Sequence, residues 1–304
     1  MFLSYIHVYC CYCIINRNGT IRVKARLFGF SIINNNRLNN MGDRMSVALL
    51  VTTYNWPEAL KLVLDSVLKQ NVLPDEVIIA DDGSGDSTKA VIDAFKKKAP
   101  MPVKHFWHPD EGFRKTIIIN QAITGTASDY IIQIDGDIVL HELFIKDHIS
   151  EAEKGFYIRG SRVLLPEDKT ARFLRSGIFG RVATFGRGVR NRFNSLRIPV
   201  LAPLLIKKSK RSRNLIGCNC AFWKADFLKV NGYNNELKGW GHEDIELAAR
   251  FINSGLSQKK VKLKAVCYHL HHPFNDRVHE NINYRVYLDT LKHGITYCTN
   301  GYYH

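Results

Sequence analysis

At 304 residues the chain is long enough for one large domain or two smaller ones, and its 45% hydrophobic and 23% charged residues exclude a disordered or low-complexity polymer. The formal charge of +15 is concentrated: residues 171–213 hold twelve Lys/Arg and no Asp/Glu, residues 1–44 hold six against one, and the remaining body is near −2. Basicity therefore belongs to two segments and not to the fold, while seven cysteines, an odd number, exclude a secreted disulfide framework and read as reduced structural thiols.

In chain order, residues 1–15 are apolar but too short to span a bilayer, and they lack a basic leader and a small-residue cleavage site. Residues 16–44 show no clear period and are expected to stay outside the core. Two readings stand for 1–44, a peripheral anchor or an over-long reading frame, with the second favoured and Met45 the natural start of the folded part. From there the pattern is regular. Val47–Val51 predicts a buried strand, and Pro57 opens a helix to about Gln70. Glu76–Ala80 predicts a second strand ending in Asp81 and Asp82, followed by a helix over 87–98, a strand over 102–107 and a helix over 114–124. Residues 129–135 then predict a strand that delivers Asp135 and Asp137, with one glycine between them, at its carboxyl end. Strands alternating with helices imply right-handed βαβ units and a parallel sheet. Thr52, Asp81, Asp82, Asp135 and Asp137 would then gather in the crevice where open α/β sheets bind ligands. Paired carboxylates there suit a hard divalent cation with positions left for phosphates; the alternative is an ordinary Asp-Gly turn. No glycine-rich phosphate loop follows the first strand, so a nucleotide would be held by side chains and a metal ion.

Residues 157–164 predict a strand, after which regularity fails until about 214. The basic stretch 171–213 interleaves arginines with Phe, Leu, Ile and Val. Three readings compete for it: an amphipathic segment on anionic membrane, a nucleic-acid arm, and a solvated loop. The large apolar residues favour the membrane. Cys218-Asn-Cys220 is too closely spaced for a zinc knuckle. A short helix is expected from Ala225. Leu237–Asp244 reads as a flexible loop running into a helix whose apolar face is Ile245, Ala248, Ala249 and Ile252, ended by Gly255. Glu243 and Asp244 fall in its first turn, where acidic residues also merely complement the helix dipole. Gly239-Trp240-Gly241 upstream puts an indole on a mobile hinge beside them, suited to stacking on a sugar face while a carboxylate takes a hydroxyl proton. Val261–Val266 predicts a strand leading to His269, His271 and His272, candidate metal ligands or phosphate contacts. A helix over 277–292 closes the pattern.

Read together, Val51-Thr-Thr-Tyr-Asn55, Asp81-Asp-Gly-Ser84, Asp135-Gly-Asp137, Gly239-Trp-Gly-His-Glu-Asp244 and Tyr268-His269 stand in the order found in inverting family 2 glycosyltransferases of the GT-A fold, which the chain from about Val47 to His272 resembles. Its carboxyl half is similar to a galactosyltransferase-type acceptor region. The resemblance implies a Rossmann-like mixed, mainly parallel sheet flanked by helices, as a single domain with a basic insertion. Its parts would be the extension 1–44, a nucleotide-sugar half 45–164, the insertion 165–213, and an acceptor and catalytic half 214–304. It further implies that Thr52, Tyr54, Asp82 and, in support, Asp81 hold the uridine of a UDP-sugar, and that Asp135 lies near the donor ribose and sugar. Asp137 would bind Mn2+ or Mg2+, with His269 the best further ligand and His272 and His271 behind it. Trp240 and Glu243 would position the acceptor, and Asp244 would be the general base. The chain departs from the pattern at Ile119, where many relatives have a basic residue before the asparagine; Arg114 would supply that contact instead.

The implied activity is transfer of a sugar, with inversion, to a glycan or lipid-linked saccharide in cell-surface polysaccharide or lipopolysaccharide synthesis. The expected location is cytoplasmic, peripheral on the inner membrane face through 171–213, with no nucleic-acid partner. A nucleotidyltransferase or a catalytically inactive nucleotide-sugar or membrane-binding module are the alternatives. The first would want a glycine- and lysine-rich loop after the first strand, and the second would not need the full set of carboxylates.

Overall fold

The computed structural model of the protein describes residues 7–15, 21–29, 44–273 and 277–303, and residues 1–44 and 45–304 are two compact units. In the first unit β1 (His7–Ile15) pairs antiparallel with β2 (Ile21–Gly29), from His7 opposite Gly29 to Ile15 opposite Ile21. The reading that 16–44 has no clear period is corrected at β2. Arg22, Lys24 and Arg26 alternate with Val23, Ala25 and Leu27, a period of two that an irregular reading overlooks.

In the second unit strand and helix alternate: β3 (Val47–Thr53), α1 (Pro57–Val67), β4 (Glu76–Asp81), α2 (Asp86–Lys96), β5 (Val103–Trp107), α3 (Lys115–Thr124) and β6 (Tyr130–Asp135). These four strands are parallel in the order β6-β3-β4-β5, which sets Thr52 opposite Asp135 and Thr53 opposite Asp81. Every residue of β3 and β4 is buried, the reason their sequences read as continuous apolar runs. Side chains alternate between two cores: Val47, Leu49 and Val51 pack with Leu60 and Val63 of α1, while Ala48 and Leu50 pack with Ile118 of α3.

The second half adds β7 (Ile138–Leu140), α4 (Phe144–Glu151), β8 (Phe156–Arg159), β9 (Val163–Leu164), α5 (Glu167–Ser176), α6 (Ala202–Leu205), β10 (Lys207–Ser209), β11 (Cys220–Trp223), α7 (Lys224–Lys229), α8 (Glu243–Asn253), β12 (Ser257–Lys260), β13 (Cys267–His269) and α9 (Glu280–Lys292). β11 enters the large sheet antiparallel between β6 and β8; β12 follows parallel to β8, and β10 is the antiparallel edge. The result is a mixed, mainly parallel sheet with helices on both faces. A small second sheet has the order β7-β13-β9. Cys218, Cys220, Cys267 and Cys298 are buried free thiols, and among the described residues no helix is long and apolar enough to cross a membrane.

Three expectations from the sequence need correction. The strand over 157–164 is two strands in two sheets, broken at Gly160, where a Cβ would lie 2.2 Å from the Asn219 side chain. Residues 167–176, expected to be irregular, are α5; only Thr170 and Phe173 bury, too little apolar face for the period to stand out. Val261–Val266 is not a strand although it alternates. The pairing residues are the polar 257–260, and Leu263 (φ 59°) and Ala265 (φ 49°) turn the chain around Asp147. That carboxylate accepts the Ala265 N–H at 2.9 Å and a two-pronged contact from Arg197 at 2.7 and 2.8 Å, a long-range partner that no local pattern reveals.

α8 is fixed by a buried pair. Arg250 is fully buried, donates to both Glu246 oxygens at 2.7 and 2.8 Å, and donates again to the Val230 and Gly232 carbonyls. Glu246→Ala leaves this guanidinium uncompensated and is expected to lower the unfolding free energy by about 3–5 kcal/mol, read by urea denaturation. A loss under about 1 kcal/mol would mean that the pair does not hold α8.

Candidate active site

The carboxyl ends of β3, β4 and β6 and the amino ends of α3 and α8 meet at one rim. Asp135 closes β6, where its Oδ1 accepts the Thr52 hydroxyl at 2.7 Å and the Lys115 Nζ at 2.8 Å. Gly136 is required in the turn that follows, because a Cβ there would lie 2.9 Å from the Thr52 carbonyl. The chain then reverses into β7, and β7 pairs with β13 so that Ile138 faces His269. The small sheet thereby brings residues 132 positions apart in the chain together at Asp137. His269 Nε2 is 3.4 Å and His272 Nε2 3.3 Å from Asp137 Oδ2.

These three residues offer one carboxylate oxygen and two imidazole nitrogens, all within 4.8 Å of one another. Asp137 Oδ1 is buried and has no hydrogen-bond partner among the described residues. Burial and then Asp135 push the Asp137 carboxyl up to about 7, against the pull of His272 and Lys115. Burial and the nearby Arg162 hold His269 down to about 3, so its ring is neutral and has a lone pair to offer. A donor set that is complete but internally unsatisfied fits a divalent cation. His271 is not part of it: the residue is exposed, and its N–H donates to Thr170 Oγ1.

A second cluster faces Lys115 from α8. Asp244 Oδ2 accepts the Gly217 N–H at 2.6 Å and Oδ1 the Tyr233 hydroxyl at 3.1 Å. Gly217 has no alternative, since a Cβ would meet Asp244 Oδ1 at 2.6 Å. Glu243 is buried and accepts the Gly241 N–H at 3.1 Å. Burial and the adjacent Asp244 push the Glu243 carboxyl up to about 7, and Lys115 opposes them. Asp244 is also raised, by burial first, with Lys115 pulling down and Asp135 pushing up. For Lys115 itself burial disfavours the ammonium, but Asp135, Asp244 and Glu243 outweigh it and its pKa is raised. One fixed cation thus lies between the carboxylate of β6 and the two of α8.

The other expected residues are placed as follows. Asp81 is buried with both oxygens engaged, by the Ser84 N–H and by His105 Nε2, each at 2.9 Å. Asp82 meets His108 Nε2 at 2.7 Å and the Arg114 N–H at 3.0 Å; burial raises its carboxyl against these contacts. Tyr54 is half exposed and donates to Asp110 at 2.8 Å. The Arg114 guanidinium reaches Glu111 at 2.7 Å and the Pro109 carbonyl at 2.6 Å, and with Trp240, Leu237 and His279 it lines a cavity of 590 Å³. Ile119, the departure from the expected basic residue, is fully buried in the core against the sheet. The loop carrying Trp240 is held by specific contacts. Gly239 and Gly241 do adopt positive φ (68° and 111°), but Asn283 donates to the Lys238 and Gly241 carbonyls at 3.0 Å each, and the Arg277 guanidinium stacks 5.3 Å from the indole centroid.

Sequence reading missed Lys115, Tyr233 and Gly217. A lysine opening a helix directly behind a strand-end aspartate was a usable signal for the first. The other two reach the site only through tertiary packing.

Comparison with known proteins follows the same lines. Residues 48–211 match the model of glycosyl transferase family 2, and residues 204–273 that of the N-terminal domain of galactosyltransferase. The chain is 23% identical over 271 residues to a hyaluronan synthase of Pasteurella multocida, covering 84% of this chain and 28% of that protein. It is 23% identical over 226 residues to a validoxylamine A glucosyltransferase of Streptomyces hygroscopicus subsp. limoneus, covering 69% and 48%. It therefore spans between a quarter and a half of these relatives' lengths. Among solved structures, S. aureus TarS 1–349 in complex with UDP superposes with a TM-score of 0.57 at 16% identity, over 84% of this chain and 67% of that one. A mannosyltransferase from Pyrobaculum calidifontis in complex with GDP-Man and Mn2+ superposes with a TM-score of 0.51 at 16% identity, over 75% and 58%. Likeness at this identity speaks for the fold.

Proposed function

Because the chain belongs to glycosyl transferase family 2, its model matching more than half of the residues, we propose that it moves a sugar from a UDP-sugar to a saccharide or lipid-linked saccharide acceptor with inversion at the anomeric carbon, in the synthesis of a cell-surface polysaccharide or lipopolysaccharide. The observation that carries this reading is the meeting of two clusters on one rim: Asp137 with His269 and His272, and Asp135 with Lys115, Glu243 and Asp244. The first suits a diphosphate with its cation, and the second suits proton removal from a hydroxyl.

In this mechanism Thr52, Tyr54, Asp81, Asp82 and Arg114 form the donor nucleotide's surroundings, and Asp135 the wall beside its ribose and sugar. Trp240 and Glu243 orient the acceptor over the cavity. Asp244, its carboxylate aimed by Gly217 and Tyr233 and its proton affinity raised by burial, takes the proton of the acceptor hydroxyl. The hydroxyl oxygen bonds to the anomeric carbon from the face opposite the diphosphate. The carbon–oxygen bond to the phosphate breaks, and its electron pair leaves with UDP. Asp137, His269 and His272 would hold Mn2+ in preference to Mg2+, since two of the three donors are imidazoles. When bound, such an ion supplies Lewis-acid neutralisation of the leaving diphosphate.

The defining experiment incubates the full chain with a panel of UDP-sugars, with Mn2+, Mg2+ or a chelator, and reads released UDP; release from one donor, lost with chelator, is the expected result. UDP binding without turnover, with or without acceptor, would favour the inactive binding module. Asp244→Asn is expected to lower transfer by about 100- to 10,000-fold while leaving UDP affinity near normal; weakened UDP binding with normal turnover would overturn its role as base. Lys115→Gln removes the cation that holds Asp244 down. The folded-state pKa of Asp244 then rises, and the acid limb of kcat/KM should move to higher pH, whereas an unmoved limb would detach Lys115 from the base. For the cation, outer contacts of a metal centre are worth roughly 10- to 100-fold in affinity. Asp137→Asn should therefore weaken Mn2+ binding by at least about 100-fold in calorimetry, and His271→Ala should leave it unchanged.

A further inference from the structure

Three strands at one edge of the large sheet carry a row of cations. Register sets Arg159 of β8 opposite Lys260 of β12, and Lys260 opposite Lys207 of β10, so the three side chains share a face. Lys262 follows two residues along. Like charges directly opposite destabilise a sheet, and the two faces of this edge answer that cost differently. On the other face Lys259 stands opposite Lys208, and both are neutralised: Lys259 lies 3.0 Å from Glu151, and Lys208 2.7 Å from Glu153. On the first face no carboxylate among the described residues is within ion-pair distance of Arg159, Lys207, Lys260 or Lys262, and Arg159 Nε is buried without a hydrogen-bond partner. Burial, Arg159 and Lys207 together hold the Lys260 ammonium below its ordinary pKa, and burial with Lys260 and Arg159 does the same to Lys262. Such a row is relieved by an anion.

Beside it stands an apolar turn. The Ile198 N–H donates to the Leu263 carbonyl at 3.0 Å, which seats residues 198–205 against the segment carrying Lys262, and α6 leads directly towards Lys207. Val200 is 86% and Leu204 77% exposed, with Leu201 and Leu205 also facing water. The turn has a fixed stem, because Ala202 is buried and Arg197 is pinned to Asp147. Lys207 and Lys260 have no acid, and Lys262 donates only to the neutral Asn194 Oδ1; such cations next to exposed leucines match an anionic bilayer, which offers phosphates to the first and an acyl boundary to the second. A nucleic acid or acidic glycan would satisfy the cations and leave the leucines in water.

We propose that the β8–β12–β10 edge and the turn 198–205 form a docking surface for anionic phospholipid, with Lys207, Lys260 and Lys262 on headgroup phosphates and Val200 and Leu204 in the acyl boundary. The same row runs inward through Cys220 to Gln133, which hydrogen-bonds Tyr233, the partner of Asp244. About 19 Å of sheet separates Gln133 from Lys207, so the bilayer meets the flank assigned to the acceptor. The meaning of that flank rests on the glycosyl-transfer reading; the lipid contact does not.

The test is flotation of the full chain with vesicles of phosphatidylcholine alone or with about 30% phosphatidylglycerol, each at low and physiological salt. Binding to the anionic vesicles is expected, weakening with salt. K207Q/K260Q/K262Q and V200S/L204S should each lower it by about tenfold or more, with UDP-sugar hydrolysis unchanged in both. Equal binding to neutral vesicles overturns the proposal. So does wild-type binding by V200S/L204S, or displacement from vesicles by inorganic phosphate or heparin, either of which would make the row a site for soluble anions. Lipid binding with no hydrolysis by any form would sink glycosyl transfer and leave the docking surface standing.

Discussion

The site is organised by one ammonium group. Asp135, Glu243 and Asp244 arrive from two halves of the chain, and gathering three carboxylates in a partly dry crevice is unfavourable unless a cation stands among them. Lys115 is that cation, at 2.8 Å from Asp135. Its position follows from backbone geometry: α3 begins at Lys115, and the helix then packs Ile118, Ile119 and Ala122 against the sheet. The packing of α3 therefore fixes the electrostatics of the rim. Asp137 is raised by burial first and then by the negative charge of Asp135, against the pull of His272, Lys115 and Arg162, and the two imidazoles lie within 3.4 Å of it. The division separates a neutralised centre from one that calls for a further positive charge.

Close backbone approach is the second constraint. Gly136 lies against the Thr52 carbonyl and Gly217 against the Asp244 carboxylate and Gln133. Neither glycine has a positive φ, so both are there for space and not for conformational freedom. Each marks a point where two elements must touch for a carboxylate to be aimed, β6 against β3 in one case and β11's approach against α8 in the other. Asn120 and Asn283 do comparable work by hydrogen bonding. Asn120 ties α3 to the Tyr233 backbone, and Asn283 ties α9 to the loop carrying Trp240.

Much of this was legible in the sequence because burial on both faces leaves a plain signature. Val47–Val51 and Val77–Ala80 are apolar throughout and Tyr130–Ile134 nearly so, broken only by Gln133, and the acids at the ends of the last two mark the rim. The helix from Glu243 was legible from its i, i+3, i+4 and i+7 spacing, but its face was read askew: Leu247 and Phe251 are fully buried beside Ala248 and Ala249, whereas Ile245 and Ile252 are only partly buried. Failure came where a long-range polar contact replaced a local pattern. Val261–Val266 alternates as a strand does, yet Asp147, more than a hundred residues earlier, captures the Ala265 N–H and bends the chain. The true strand beside it, Ser257–Lys260, pairs through its backbone but carries only polar side chains and so has no apolar signal. The glycines flanking Trp240 were visible in the sequence, whereas the Asn283 contacts that hold its loop were not. The histidine that joins His269 at Asp137 is His272 and not the nearer His271, a choice set by the turn after β13.

The polarity of the edge strands explains why they escaped notice and what they do. An edge strand is ordinarily blunted by charge, lysine above all, against pairing with another chain. The edge strand β10 and its neighbour β12 carry lysine on both faces, and protection of the edge alone would be served equally well by neutralised lysines, as Lys208 and Lys259 are by Glu153 and Glu151. Leaving Lys207, Lys260 and Arg159 without acids on their shared face destabilises the sheet and adds nothing to protection of the edge. The asymmetry between faces is therefore not accounted for by folding. It is accounted for if the uncompensated face works against an anionic surface, with the leucine turn beside it serving the same contact.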